Sequence, residues 1–324
     1  EALKYLERLE ALGQDNAWTN TEFGYCLSKL GRYEEAIKKL NHALEIEAEN
    51  DDKDVSYIYA RLGWCKRKLG MYDEAIEDFN KAKKWGRNDA VINAEIGHCY
   101  KAKDEYEEAL KYSLMLENFE ELKNNINLLS NIANLYEEKQ DYKEKLKYLE
   151  KIEKIGIDDP QFYIEYGYCL MFLEYYREAI SKFEKSLGAG KDTYCISQIA
   201  FCYRNLGEYE KALEYFQKAR SLGRNDAWIN SEIGICYKDL DKYEEALEYY
   251  LLAYEEDKEE IWLLSDIGWL YNEMDRYEEA LEFLLEAEKL GRDDSWLNAE
   301  IGQCLGRLEK YDEGIERLKK ALEL

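Results

Sequence analysis

Apolar side chains recur along this chain in helical register, interrupted at intervals by short polar turns. The stretch Ile233-Gly234-Ile235-Cys236-Tyr237 serves as a template, with its glycine as position zero. Apolar residues then stand at −5, −1, +2 and +6, as in Ile229, Ile233, Cys236 and Leu240. Offsets of 4, 7 and 11 share one helical face, so that face is predicted to be buried. The helix start is marked at −8 by Asn16, Asp89, Asn125, Asp159, Asp192, Asp226 or Asp294. Their side-chain oxygens can accept from the first free backbone N–H groups. Pro160, directly after Asp159, suits a first helical turn. A second helix is predicted to begin near a tyrosine at +9 and to end at a glycine at +23: Gly86, Gly156, Gly190, Gly223 or Gly291. Glycine there can take the left-handed conformation that closes a helix.

Laid over itself, the chain shows nine such anchors: Gly24, Gly63, Gly97, Ala133, Gly167, Ala200, Gly234, Gly268 and Gly302. A spacing of 34 dominates. Tyrosine follows every anchor by nine: Tyr33, Tyr72, Tyr106, Tyr142, Tyr176, Tyr209, Tyr243, Tyr277 and Tyr311. Alanine stands at +12 in seven repeats (Ala36, Ala75, Ala109, Ala179, Ala212, Ala246, Ala280), where a one-carbon side chain lets two helix backbones approach. Lys145 and Gly314 depart from that rule. Residues 1 to 13 match the second half of a repeat, with Ala2 in the alanine place, so an upstream portion is expected.

The small anchor, these tyrosines and alanines, and a bulky apolar residue between them in a 34-residue helix pair resemble the tetratricopeptide repeat. The resemblance covers essentially the whole chain. It implies an all-α, right-handed α-solenoid of stacked antiparallel helix pairs, nine complete repeats plus an N-terminal half repeat. The expected organisation is a single solenoid over 1–324, with 1–14 the second helix of a truncated repeat. Repeats then run approximately 15–50, 51–88, 89–122, 123–158, 159–191, 192–225, 226–259, 260–293 and 294–324. Two features depart from the family's commonest pattern. The late proline is replaced by glycine followed by Arg or Asn and Asp, and the early tryptophan sits at −6. In the family the first helices build a concave wall, which the resemblance implies here too.

Composition narrows the function. A net charge of −25 repels phosphate backbones and anionic lipid, so neither nucleic acid nor membrane is expected as a partner. Cys26, Cys65, Cys99, Cys169, Cys202, Cys236 and Cys304 at +2, with Cys195 at −5, all fall on the buried stripe. They read as small core residues and free thiols of a reducing, cytoplasmic compartment, with no metal or cofactor expected. His42 and His98 have no ligand partners in sequence and are expected at the surface or in the groove. Gly188-Ala189-Gly190-Lys191-Asp192-Thr193 fails as a phosphate loop, because Asp192 stands where Ser or Thr is required after the lysine. No catalytic motif is found, and the chain is not expected to be an enzyme.

A second stripe on the first helices, at −6, −3 and +1, carries rings that bracket small residues. Its larger members are Trp18, Tyr25, Tyr57, Trp64, His98, Tyr168, Tyr194, Phe201, Trp228, Trp262, Trp269 and Trp296. Those offsets share a face distinct from the buried one. The resemblance makes it the concave surface, and these residues the candidate partner-binding set. Glu22, Glu95, Glu165, Glu232, Asp266 and Glu300 at −2, with Asn20, Asn93, Asn230 and Asn298 at −4, give it an expected acidic margin. The Lys, Asn and Arg set by which some family members clamp a chaperone's carboxylate tail is absent. The expected partner is therefore a protein or peptide bearing basic and apolar residues. Alternatives are the recognition arm of a larger enzyme or signalling receptor, and a solenoid that self-associates through its truncated ends. A loop is expected within Glu45–Asp54, and a break in the ring stripe near Met115–Lys145, where Asn127, Ser130 and Asn134 replace it.

Overall fold

The computed structural model describes residues 1–47, 55–188 and 192–324. Among them it holds 19 helices in consecutive antiparallel pairs and no strand, and is 78% helical. Residues 48–54 of the expected acidic loop, and Gly190 as a helix terminator, lie outside the described residues. The chain forms two compact units, Glu1–Ile157 and Asp158–Leu324.

The N-terminal unit begins with α1 (Ala2–Ala11), followed by the pairs α2 (Ala17–Lys29) with α3 (Tyr33–Glu47) and α4 (Ser56–Lys68) with α5 (Tyr72–Lys84). It closes with α6 (Ala90–Ala102) on α7 (Tyr106–Glu117), and α8 (Ile126–Glu138) on α9 (Tyr142–Ile155). The C-terminal unit pairs α10 (Pro160–Phe172) with α11 (Tyr176–Leu187), α12 (Thr193–Asn205) with α13 (Tyr209–Ser221), and α14 (Ala227–Asp239) with α15 (Tyr243–Glu256). Its last pairs are α16 (Ile261–Glu273) with α17 (Tyr277–Lys289), and α18 (Ser295–Arg307) with α19 (Tyr311–Glu323). Even-numbered helices are called A helices below, and their odd-numbered partners B helices.

All nine tyrosines at +9 are the first residue of their B helix. The seven polar residues at −8 each accept a hydrogen bond from the backbone N–H two or three residues on, as Asp226 does from Ile229. α4 and α16 lack such a cap. Between A and B lies a feature the sequence reading missed: the residue at +7 takes positive φ in every repeat. Gly31, Gly70 and Gly207 do so freely, but Asp104, Gln140, Glu174, Asp241, Asp275 and Glu309 do so as non-glycine residues. The three aspartates accept a hydrogen bond from the hydroxyl of the tyrosine at +9, two residues on. That bond helps hold a conformation their backbone disfavours.

The anchor is small because the side chain at +16 lies across it. A Cβ on Gly234 would stand 2.3 Å from the Tyr250 ring, one on Gly63 2.8 Å from Phe79, and one on Gly24 2.6 Å from Leu40. At Gly97 the +16 residue is only Ser113, and the nearest atom stands at 3.4 Å. The seven alanines at +12 are all buried at the crossing. Lys145, in that place in α9, is buried as well and sends its ammonium to Glu137 at 2.8 Å. A buried lysine keeps its charge only when it is paired.

A ring-lined face with two kinds of charge

None of the twelve stripe residues is sealed into the core. Trp18, Tyr57, His98, Tyr194, Trp262 and Trp296 are exposed, and Tyr25, Trp64, Tyr168, Phe201, Trp228 and Trp269 are half-buried. The small residues between them, Thr21, Ala60, Ser197, Ser231 and Ser265, are buried and form the floor. Each half-buried indole is held by a ring beneath it. Tyr33 meets Trp64 edge-on at 5.7 Å, Phe216 meets Trp228 at 6.0 Å and Tyr243 meets Trp269 at 5.6 Å. One side of each ring is therefore structural, and the other faces outward.

Guanidinium groups lie over several rings of the stripe, which the sequence reading missed, and lysines lie near Trp64 and Trp269. Arg224 lies over Tyr194 and Trp228 at 5.3 and 5.0 Å, and Arg292 over Trp296 at 4.4 Å. Arg87 lies 5.5 Å from the Tyr57 ring. All three occupy +24, directly after the terminating glycine, and each donates through Nε to the capping aspartate two residues on: Asp89, Asp226 or Asp294, at 3.1, 2.9 and 2.9 Å. The same aspartates cap the next A helix. The recurring turn of Gly-Arg, then Asn or Asp, then Asp was thus the available signal, with a ring four residues beyond Arg224 and Arg292. A cation over a ring contributes about 0.5–2 kcal/mol according to its exposure.

The expected acidic margin needs correction. In four places the acid at −2 is engaged by the residue at +4 of the preceding A helix. Arg67 pairs with Glu95, Arg204 with Glu232 at 2.6 Å and Lys238 with Asp266 at 2.5 Å, while Asn272 donates to Glu300 at 2.9 Å. These acids are rungs joining successive repeats: Glu95, Glu232 and Asp266 meet a cation inside the protein, and Glu300 meets a neutral amide. Glu22 and Glu165 stand outside the pattern. Burial pushes Glu232 above the ordinary carboxylate range, with Arg204 opposing the shift. Burial likewise raises Glu300. The asparagines at −4 are also not a margin, because Asn20, Asn93, Asn230 and Asn298 are buried. Asn20, Asn93 and Asn298 clasp their own turn, donating to the carbonyl of the capping residue at 3.0, 2.9 and 3.0 Å. Local support for a basic partner is correspondingly lost.

His42, half-buried, bridges Asp15 and Glu45. The imidazole of His98 is held below its usual pKa, chiefly by desolvation between the surrounding side chains. Seven cysteines are buried and Cys26 is half-buried, a partial departure from the core expectation. Desolvation raises the thiol pKa to about 11 at Cys65 and Cys195 and about 12 at Cys99, Cys202, Cys236 and Cys304, so these thiols stay protonated at neutral pH. Among the described residues no helix is long and apolar enough to cross a membrane.

This repeat geometry defines a class of helical-repeat interaction proteins. The tetratricopeptide-repeat profile matches residues 15–84, 192–255 and 225–293, more than half of the chain, and the protein belongs to that family. No curated protein sequence matches it. Similar solved structures include the crystal structure of MamA protein, 19% identical over 51% of this chain and 90% of that one, with a TM-score of 0.47. MamA 41-end from Desulfovibrio magneticus RS-1 is 22% identical over 51% and 94%, at 0.48. YrrB, described as a TPR protein with an unusual peptide-binding site, is 22% identical over 58% and 97%, at 0.49.

Proposed function

We propose that this protein is a non-catalytic scaffold that holds an extended segment of a partner protein against the ring-lined face of its A helices, chiefly at Trp228, Trp262, Trp269 and Trp296. Family membership supports protein interaction in general. The observation that carries the finer reading is that none of the twelve stripe residues is buried, in a chain whose other conserved-spacing positions at −1, +2 and +12 largely are. Rigid rings lose little conformational freedom on binding and dominate most measured interfaces, whereas exposed ion pairs contribute about 0–1 kcal/mol. The rings are therefore the source of affinity, and the surrounding charge sets selectivity.

The test is to select ligands for the whole chain from a displayed random-peptide library and measure them by calorimetry. Each tryptophan-to-alanine change among those four is expected to weaken the selected peptides by about 2 kcal/mol. Melting temperature serves as the control for folding. A quadruple variant that melts normally and binds every selected peptide as the parent does would remove the proposal.

A further inference from the structure

The repeat places four equivalent positions around a cavity in each unit. In the C-terminal unit it is lined by Lys238 at +4, Asp266 at −2 of the next repeat, Trp269 at +1 and Arg292 at +24. In the N-terminal unit the equivalent residues are Ser28, Arg61, Trp64 and Arg87, and they line a cavity of about 220 Å³. The edge-on tyrosine behind the indole is also shared, as Tyr33 on Trp64 and Tyr243 on Trp269. The rest of the lining differs, with Val91 in one where Trp296 stands in the other and volumes of about 220 and 570 Å³, and so do the charges. Lys238 meets Asp266 in one cavity, whereas a hydroxyl faces a guanidinium in the other.

That guanidinium has faces satisfied and edges empty. Arg61 is clamped between Tyr25 and Tyr57, 3.8 and 4.2 Å from the ring centres. Its Nε–H is sealed from solvent and meets no acceptor among the described residues. Ser28 already donates its hydroxyl to the Tyr25 carbonyl at 2.7 Å. Glu95 is turned to Arg67, Arg87 to Asp89, and Lys29 adds a third cation to the lining. Glu22 is the acid Arg61 senses most, but no carboxylate bonds Arg61 among the described residues. Ring faces cannot accept from the in-plane N–H groups of a guanidinium, which is a planar fork suited to a carboxylate. Beside it the wall is apolar, formed by Ala60, Trp64, Phe79, Val91 and Ile92.

We propose that this cavity takes an acidic side chain, aspartate or glutamate, from an extended partner segment, closing the rung that Arg61 leaves open. A neighbouring apolar side chain of the segment rests on Trp64 and Val91. This rests on the protein-binding reading of the A-helix face and adds the chemistry of one subsite. The site is a local patch of cations on a chain of net charge −25, so an acidic ligand finds its complement here rather than on the surface at large.

The experiment is NMR titration of the whole chain, reading arginine Nε–H and tryptophan indole signals. Its probes are the blocked peptide acetyl-Ala-Leu-Glu-Phe-Ala-amide, its glutamine counterpart, and acetyl-Ala-Leu-Ala-Phe-Ala with a free C-terminus. The glutamate peptide is expected to shift Arg61 and bind about tenfold tighter than the glutamine one, as a charge-assisted bond warrants. Arg61→Met should abolish that preference. Ser28→Glu, which supplies an internal carboxylate, should abolish it too and carries the test if Arg61→Met melts early. Equal affinities, no binding of the glutamate peptide, or a preference that survives both variants would overturn the proposal. So would tighter binding of the free-terminus peptide, which would assign the site to a chain end. Shifts at the indoles of Trp228, Trp262 and Trp296 without any at Arg61 would remove this subsite and leave the binding face standing, while no shifts anywhere would remove both.

Discussion

The rung between α12 and α14 and the open one between α2 and α4 occupy equivalent places, yet only the first answers its own charge. Arg204 and Glu232 meet with the acid almost wholly buried, whereas Arg61 is left with two rings and no anion among the described residues. A satisfied charge inside a repeat protein joins neighbours. An unsatisfied one in the same frame is free to select a ligand. Under the proposed subsite, one repeat geometry serves cohesion in one place and recognition in another.

The largest expected effect comes from opening a closed rung. Arg204→Met leaves the buried carboxylate of Glu232 without its cation, and breaking such a pair costs about 3 kcal/mol or more. Arg61→Met, removing a cation that stacks on two rings and meets no carboxylate among the described residues, is expected to cost less, about 1 kcal/mol. Urea denaturation at neutral pH measures both. The pH dependence carries a sign. The folded-state pKa of Glu232 already lies above its unfolded value of 4.5 and rises further without Arg204. Stability linked to a raised pKa is fully present below the unfolded value and is lost as pH climbs through the folded one. The deficit of Arg204→Met should therefore be smallest near pH 4 and grow toward neutrality. A deficit independent of pH would show that Glu232 does not depend on Arg204.

A second contrast concerns the crossing beneath the rungs, with an expected effect of about 1–3 kcal/mol. Tyr250 lies across Gly234 and donates its hydroxyl to Asp266 at 3.2 Å, so the closed rung of α14 and α16 stands on that contact. Gly234→Ala drives a methyl group into the ring and should destabilise the C-terminal unit. Gly97→Ala meets nothing closer than 3.4 Å, and should be neutral or gain up to about 1 kcal/mol from helix propensity. Equal losses at the two sites, by thermal denaturation, would show that the +16 residue does not set the anchor's size.

Those crossings were legible in the sequence, and the charges above them were not, for a physical reason. Periodicity reports which residues face a neighbour, so the tyrosines at +9, the alanines at +12 and the caps at −8 fell where the pattern put them. A charge says nothing in sequence about whether it is met. Glu165 and Glu232 share position −2, but only the second has an arginine at +4 of the preceding repeat, where Glu137 stands before Glu165. Reading +4 against −2 of the following repeat would have shown both the rungs and the reversal at Ser28 and Arg61. The arginines at +24 were hidden differently, since the glycine-arginine turn reads as a connection until the rings four residues beyond Arg224 and Arg292 are placed beneath it. Positive φ at Gln140, Glu174 and Glu309 left no compositional trace at all, because these residues are ordinary in helices and unusual only in that turn.

The smallest effect is also the sharpest test of equivalence between the two cavities. Ser28→Lys together with Arg61→Asp transplants the Lys238–Asp266 pair into the N-terminal unit. Ser28→Lys alone sets a second cation beside Arg61 and Lys29, and Arg61→Asp alone sets a carboxylate near Glu22 without a counter-charge. Each single change is expected to destabilise slightly, and the double to recover most of the loss. Because both members of the C-terminal pair retain about a quarter of their exposure, the coupling should be only about 0.5–1 kcal/mol. Four proteins compared by urea denaturation give that coupling directly. A favourable value means the transplanted pair forms, and with it the acidic-peptide preference should vanish. A coupling of zero means that the two frames differ in backbone placement by more than an ion pair tolerates, and the comparison between the cavities then ends at sequence position.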